Sequence, residues 1–466
     1  GDIALAEWLL SNGASWPIET RGRRVVHDIA VQGRLDVLKW LADKGQVKGT
    51  AGMVLLAAEN GHLQVVRWLL DLDAGGYYQS KLTGLGAEAG LAIHIAAVNG
   101  HLEIAKYLRA RAQTPQNALQ RTAETVEQKV QIRQLKQLGE PTTAIVVSAN
   151  TLVEAGRNGH SDVVRWLYLE YYGDRKFGMI GSGSESQQIP TETAVMDAAA
   201  VHGHLKVLVL IQALAIASAV STRKRLRDGT NKDENRQCTA AAMDGAASNG
   251  HLEVVKWLHE SRAEGCTKHA MDGAATGGHL EVLKWLQQHR LEGCSATAMD
   301  GAARNGHLDV IKWLHTNTTA GCTTKAMDDA ATYGYLDVVK WLHSNLDEGC
   351  TVAAMDGAAS NGYWDIVKWL HRNRTEGCTT SAMDNAARHG HLLIVQWLHS
   401  RGLKGTNAAI NSAAAEGNFE MFLFLHSQCQ IECTRETMLS TSPSQAPEIH
   451  TWISKNYPAI LTLDQE

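Results

Sequence analysis

The sequence is poor in several features that mark common functional classes. Its 466 residues carry a formal net charge of −5, so it lacks the basic excess of a general nucleic-acid binder. Its most apolar run, residues 205–220, contains Lys206 and Gln212 and is shorter than a membrane span of about 20 residues. We therefore expect no nucleic-acid partner and no membrane insertion, and we interpret this run as a lengthened helix.

Sequence motifs of catalysis are also missing. No phosphate loop of the form G-x-x-x-x-G-K-[ST], no H-E-x-x-H, no G-x-S-x-G and no kinase signature occurs. The recurring Met-Asp aspartates have equivalents in sister segments, so none is a singular acid or base. We expect no enzyme activity in this chain, no catalytic residue, no cofactor and no metal.

Phenylalanine is scarce, with four Phe against thirteen Trp and ten Tyr. Six of the tryptophans recur every 28 residues, as do six cysteines; the tryptophans are Trp257, Trp285, Trp313, Trp341, Trp369 and Trp397. A fixed period of this size is the signature of a solenoid, in which each repeat packs only on its neighbours. The function is therefore expected to reside in an array.

Each 28-residue unit divides into two helical halves. The first, Ala242 to Asn249 in the clearest copy, is rich in small residues and stops at Gly250, as a helix with a glycine C-cap would. The second, Leu252 to His259, places an apolar stripe on one face, with Trp257 at its edge. A Glu-Gly-Cys-Thr turn leads to the next unit, so the pattern predicts one helical pair per repeat.

The unit resembles the ankyrin repeat, through the run A-A-x-x-G-H-L-x-V-V-x-x-L. Where that family opens with Thr-Pro-Leu-His, this chain has Met271 and Asp272 in place of the Leu and His. The repeats are about five residues shorter than the usual 33, and the shortfall lies after the second helix. The resemblance implies an all-α fold, an ankyrin-type α-solenoid of stacked helix-turn-helix repeats, right-handed and curved, with shortened β-hairpin turns.

Fourteen units are counted, the first truncated to its second helix. The last is a degenerate copy that keeps Cys433, Met438 and Trp452 at the usual offsets. The predicted organisation is ankyrin repeats, an insertion or degenerate repeat, irregular repeats with a Gly/Ser loop at 171–192, a charged loop, regular 28-residue repeats, and a capping repeat with a tail; these are residues 1–108, 109–150, 151–220, 221–237, 238–428 and 429–466.

Cysteine and histidine recur in positions that favour structural roles. One cysteine per layer cannot converge on zinc or pair with the next, since stacked helices lie about 8–10 Å apart and a disulfide needs Cα atoms within about 7 Å. All eight are predicted to be unpaired, which favours an intracellular, reducing compartment. Eight histidines follow the repeat glycine, and the resemblance implies that their rings bridge neighbouring loops.

The basic residues Arg223, Lys224, Arg225 and Arg227 are of the kind found in nuclear-import signals or anion patches. Because Asp228, Asp233 and Glu234 follow, we interpret the segment as a solvated loop. Nucleic-acid binding through these residues stays a third alternative, behind the two functions given below. The location is left open between cytoplasm and nucleus.

The expected function is a non-catalytic scaffold, a monomer that holds protein partners along its concave helix and turn face, as ankyrin proteins do. The alternative is a targeting or regulatory segment of a larger enzyme, such as a ubiquitin-ligase subunit or kinase, with its catalytic domain outside this chain. By resemblance, partners contact the two variable residues before Gly-His. The candidate partner-binding residues are Arg304, Asn305, Thr332, Tyr333, Ser360, Asn361, Arg388 and His389.

Overall fold

The computed structural model describes most of the chain. The described residues are 19–44, 51–72, 86–111, 149–172, 179–180, 189–225, 238–441 and 446–458, with the single positions 3, 7, 12 and 444. Outside these residues lie most of the segment 109–150, predicted as an insertion or degenerate repeat, and the acidic residues that follow Arg227. Most of the truncated first unit also lies outside them. Contacts divide the chain into two compact units, Gly1–Ala242 with Ser261–Glu264, and Met243–Glu260 with Gly265–Glu466.

The first unit consists of helical pairs with irregular connections. Its helices are Glu19–Val31, Leu35–Asp43, Ala51–Glu59, Leu63–Leu72, Gly86–Val98, residues 102–111, Ala149–Arg157, Ser161–Leu167, the π-helical turn Tyr168–Tyr172, Thr191–Val201 and Leu205–Arg225. Two short antiparallel strands, Met179–Ile180 and Ile189–Pro190, pair with Met179 opposite Pro190. They lie inside the segment 171–192 predicted as a Gly/Ser loop, so part of that segment forms a short antiparallel pair.

The helix Leu205–Arg225 has 21 residues, about twice the length of the regular second helices. This confirms the interpretation of the apolar run as a lengthened second helix. The helix also continues through Arg225, five residues into the segment predicted as a charged loop. Three of the four basic residues, at 223–225, are therefore helical, while Arg227 lies outside the described residues.

The regular array follows as pairs of short helices. They are Ala240–Ser248, Leu252–Ser261, Lys268–Thr276, Leu280–His289, Ala296–Arg304, Leu308–Asn317, Thr324–Thr332, Leu336–Asn345, Val352–Ser360, Trp364–Asn373, Thr380–Arg388, Leu392–Ser400, Asn407–Ala415, Phe419–Ser427, Arg435–Ser440 and Pro447–Asn456. Residues 238–441 contain no strand. The all-α prediction with trimmed turns is thereby confirmed.

Within residues 239–417, each first helix begins after a Thr or Ser side chain and is closed by a glycine. In one repeat the Thr267 side chain accepts from the His269 N–H, which satisfies one of the free donors at a helix start. The helix then stops at Gly278, whose φ of +79° is a conformation that glycine adopts without the penalty of a side chain. The His279 N–H closes the end by donating to the Ala274 carbonyl at 2.8 Å.

The core lies between the two helices of a pair and between successive pairs. Ala270, Met271, Ala274 and Ala275 of one first helix are at most 3% exposed, and their small side chains let first helices pack closely on one another. The second helices contribute larger residues, such as Val282, Leu283 and Leu286. The recurring tryptophans are less buried than these residues, since Trp313 and its equivalents lie half-buried at the edge of the stripe.

Candidate partner-binding surface

The recurring aspartate of the Met-Asp pair joins each repeat to the next. Asp300 accepts two bonds from Thr323, one from its backbone N–H at 2.8 Å and one from its hydroxyl at 2.7 Å. The same Thr323 caps its own helix. Equivalent pairs run from Asp197–Thr239 to Asp384–Thr406. We call this contact the Asp–Thr link, and it occupies both carboxylate oxygens.

The histidine of the Gly-His pair makes a second contact, in the opposite direction. The His62 Nε2 lies 2.7 Å from the Val31 carbonyl oxygen of the preceding repeat, and the His101 Nε2 lies 3.0 Å from that of Glu59. The ring packs against the preceding glycine so closely that a Cβ at Gly33 would lie 2.4 Å from His62. This Gly–His link agrees with the predicted bridging role.

Burial sets the ionisation of these rings. It lowers the pKa of His160, His279 and His391 below the ordinary 6.5, because a half-buried imidazolium loses solvation. In two repeats the histidine is replaced by Tyr335 or Tyr363, whose rings occupy the same place over Gly306 and Gly334. The position therefore accepts a tyrosine ring as well as a histidine ring.

Burial also determines the pKa and the reactivity of the cysteine thiols. All eight are free thiols, and Cys238, Cys350 and Cys433 are buried. Loss of solvation is the main cause that raises the pKa of Cys238 and of Cys322 to about 12. A thiol with such a pKa is almost entirely protonated near neutral pH and is a poor nucleophile. No group of three or more His, Cys, Asp or Glu among the described residues is arranged to hold a metal ion.

The eight candidate residues lie together at the ends of four successive first helices. Arg304, Thr332, Ser360 and Arg388 are the last residues of their helices, and Asn305, Tyr333, Asn361 and His389 are the C-caps that follow. The row has one arginine at each end and Tyr333 between them. Arg304, Tyr333 and Arg388 are exposed, with Tyr333 at 43%.

Arg304 and Tyr333 form a pair across one repeat. The Arg304 guanidinium carbon lies 5.1 Å from the centre of the Tyr333 ring, and its Nη2 donates to the tyrosine hydroxyl at 2.9 Å. Such a cation–π contact is worth about 0.5–1 kcal/mol at an exposed site. The pair holds a flat aromatic surface and a charged group in a fixed arrangement at the surface.

Several of the other candidates face the scaffold. The Asn305 amide donates to the Thr276 carbonyl at 2.8 Å, and that of Asn361 donates to the Thr332 carbonyl at 3.1 Å, so both join adjacent repeats. The Thr332 hydroxyl donates to its own helix, at the Asp328 carbonyl. These three side chains are largely used within the fold, which leaves Arg304, Tyr333 and Arg388 as the more available ones.

Two contacts went unrecognised at the level of sequence. One is the Asp–Thr link, although the shared period of Asp and Thr was visible. The other is an edge-to-face contact between the histidine that ends one second helix and the tryptophan of the next, as in His343 and Trp369 with ring centres 5.1 Å apart. Equal periods in both residue types were the only available signal, because spacing does not show which side chains meet.

The geometry defines a helical-repeat protein in which each layer is joined to its neighbours by fixed polar contacts. Family models agree with it. One described as ankyrin repeats (3 copies) matches residues 243–325, and one described as ankyrin repeats (many copies) matches residues 54–109. The chain is an ankyrin-repeat protein. No curated protein matches it.

Among solved structures, the chain is similar to the pentatricopeptide repeat protein PPR10 from maize, at 12% identity and a TM-score of 0.24, over 98% of this chain and 76% of that one. A structure of PPR10 in complex with an 18-nt psaJ RNA element is similar at 14% identity and a TM-score of 0.25, over 98% and 72%. Scores of this size do not indicate a shared arrangement of the helices.

In the described part of the chain, no helix is long and apolar enough to cross a membrane.

Proposed function

We propose that this protein is a non-catalytic scaffold that binds a partner protein along the ends of its first helices. Ankyrin repeats commonly serve this purpose, and their surfaces are read through residues that differ between copies. In this chain the repeated polar side chains form hydrogen bonds within the fold. The aspartates bond through the Asp–Thr link, and most of the Gly-His rings bond through the Gly–His link. The variable residues are left to contact a partner.

The exposed Arg304–Tyr333 pair carries the proposal. A tyrosine and an arginine already held together lose little side-chain entropy on binding, and both residue types are enriched among interface hot spots. Arg388 ends another first helix two repeats further along. The three side chains together offer two cations and one aromatic ring to the same partner.

The experiment is quantitative capture of partners by the full chain, compared with a triple variant, Arg304→Ala, Tyr333→Ala and Arg388→Ala. We expect the captured partner to bind the triple variant at least about tenfold more weakly, or ~1.4 kcal/mol, with an unchanged melting midpoint. The matched control is Thr297→Ala, an exposed change at the other end of a first helix. Undiminished binding by the folded triple variant would show that the partner uses another surface.

A further inference from the structure

The second helices carry a patch where the repeat pattern is broken at several surface positions at once. Position 393 holds a leucine where the five preceding repeats hold a carboxylate, namely Glu253, Glu281, Asp309, Asp337 and Asp365. Leu393 is 70% exposed. Gln396 likewise replaces the lysine found in all five, so the ion pair seen between Lys284 and Glu281 at 2.7 Å has no counterpart here.

Neighbouring surface positions also depart from the residues that the other repeats hold there. Trp364 replaces the leucine that begins the other second helices of residues 238–405, and its ring meets that of Trp397 edge to face, with centres 5.6 Å apart. Leu393 and Trp397 are four residues apart on one helix and therefore lie on the same face. We call Trp364, Leu393 and Trp397 the second-helix patch.

Cations border this patch. The Lys368 Nζ lies 4.9 Å from the centre of the Trp364 ring, and the Arg401 guanidinium carbon lies 5.4 Å from that of Trp397. Arg401 stands where the three preceding repeats have asparagine. Lys368 is also 3.2 Å from Asp365, which offsets that carboxylate.

The repeat that contains Leu393 is also unusually cationic. Residues 378–405 include Arg388, Arg401 and Lys404 against a single carboxylate, Asp384. Both oxygens of Asp384 accept from Thr406, at 2.7 and 2.8 Å. Of these cations, Arg401 lies directly against the second-helix patch, and the carboxylate of Asp384 is not available to neutralise it.

Packing does not require any of these changes, because sister repeats build the same helical pair without them. An exposed leucine next to two tryptophans costs solubility and is characteristic of an interaction site. Trp and Arg are among the residues most enriched in interface hot spots. The charge around the patch selects the kind of partner, since cations favour a segment that brings carboxylates.

We propose that the second-helix patch binds a short acidic segment of a partner protein, with one apolar side chain of that segment seated on Leu393 and the two tryptophans. Carboxylates that flank the apolar side chain pair with Arg401 and Lys404. This surface lies on the second helices, apart from the row at the ends of the first helices. Binding at the second-helix patch is therefore tested independently of binding at the ends of the first helices.

The repeats themselves supply the matched variant. The changes Trp364→Leu, Leu393→Asp, Gln396→Lys and Arg401→Asn each restore a residue that sister repeats hold at the same position. This reverted chain is therefore expected to fold as the natural one does, which circular dichroism and the melting midpoint verify. A loss of binding then reports on the surface.

The probe is a phage-displayed library of short random peptides, depleted on the reverted chain and then selected on the natural full chain. We expect enriched peptides in which Asp or Glu flanks Leu, Phe or Trp. Synthetic copies should bind the natural chain at least about tenfold more tightly than the reverted chain, and more weakly as salt rises. They should bind the Arg304, Tyr333 and Arg388 triple variant as well as the natural chain.

Three results would overturn the inference. These are no enrichment after depletion, enrichment of basic or uncharged peptides, or equal binding by the natural and reverted chains. Loss of binding only in the triple variant would assign the peptide to the ends of the first helices. That last result would overturn the second-helix site while supporting the proposed function.

Discussion

The irregular repeats of residues 19–225 and the regular array of residues 238–441 use the same Gly–His link but differ in the Asp–Thr link. In the irregular part, bridged residues are 31 apart for His62 and Val31 and 42 apart for His101 and Glu59. In the regular part, Asp and Thr lie 23 apart in repeat after repeat. The Gly–His link thus tolerates long connections.

Sequence explains why the two regions differ. At the position of the linking aspartate, the irregular repeats hold His27, Leu55, His94 and Val153, and the first aspartate is Asp197. Asp197 reaches Thr239, 42 residues on, across the charged segment. Beyond it the repeats from Asp244 to Asp384 keep the aspartate, and the next repeat has Asn411, whose Oδ1 accepts from the Thr437 hydroxyl. The Asp–Thr link therefore recurs at a near-constant spacing of 22 or 23 residues only after Asp197, where the connections between repeats are short.

The largest expected effect tests the contact that both regions share. Gly61→Ala and Gly278→Ala each place a Cβ within 2.7 Å of a histidine ring, at a φ near +80°. Left-handed strain of about 1–2 kcal/mol adds to overpacking of about 1–3 kcal/mol. We expect both variants to lose about 2–5 kcal/mol in denaturant unfolding.

The control is Gly293→Ala, where φ is +67° but no atom lies within 4 Å of the new Cβ. Only the backbone strain of about 1–2 kcal/mol applies there. If Gly278→Ala cost no more than Gly293→Ala, the Gly–His contact would not be what makes this glycine necessary.

The next effect concerns the link that distinguishes the regions. Asp300→Ala removes both acceptors of the exposed Thr323, and each such hydrogen bond contributes about 0.5–1.5 kcal/mol net, or about 1–3 kcal/mol for the two. We expect a loss in that range, measured by the denaturant midpoint. Leu55→Ala, at the same position of an irregular repeat, touches no such link and gives the comparison for a packing change alone. A free energy unchanged by Asp300→Ala would contradict a structural role for the aspartate.

A smaller effect is expected from the edge-to-face contacts between second helices. The His315 and Trp341 rings are 5.4 Å apart and nearly perpendicular, an arrangement worth about 0.5–1.5 kcal/mol beyond area burial. A double-mutant cycle with His315→Ala and Trp341→Ala should return a coupling of that size. The preceding layer has Gln287 opposite Trp313, so its cycle should return less.

The smallest effect is a dependence on pH. The folded pKa of His279 is lowered below 6.5 by burial, so the unfolded chain binds the proton more readily. Stability is therefore full above pH 6.5 and is lost as pH falls through the folded pKa. The change His279→Tyr copies Tyr335 and Tyr363 and removes the titrating group.

Unfolding measured above and below pH 6.5 should show a smaller loss on acidification in the His279→Tyr variant than in the natural chain. The variant should stay folded at both values, because the tyrosine ring occupies the same place over a glycine in two sister repeats. An equal loss in both chains would assign the pH dependence to other groups.

The fold could be predicted because packing imposes the period directly. Gly278 ends a helix and Val282, Leu283 and Leu286 face the core, as the pattern indicated. An apolar period does not show how far the neighbouring layer covers a large ring: Trp313 lies at the edge of its stripe and is half-buried. The loss expected for Trp313→Ala is therefore below the about 3–5 kcal/mol of a fully buried aromatic side chain.

The candidate surface was less predictable, for a related reason. Variation among the repeats identified Asn305 and Asn361 as candidates. Only the structure shows that their amides donate to backbone carbonyls of the preceding repeat. The same limit hid the Arg304–Tyr333 pair, since residues 29 apart in sequence meet only when layers stack. The partner-binding role of the eight residues stays a prediction, as do the domain boundaries and the monomeric state.

The Asp–Thr and Gly–His links give the array a direction. Each layer within residues 266–405 offers its aspartate carboxylate to the layer that follows it and a histidine or tyrosine ring to the layer that precedes it. An extra unit of 28 residues inserted in frame within residues 266–405 would therefore present a carboxylate to the unit after it and a ring to the unit before it. A chain built this way can lengthen by duplication of whole units, and the residues that adjacent units share are what such growth leaves behind.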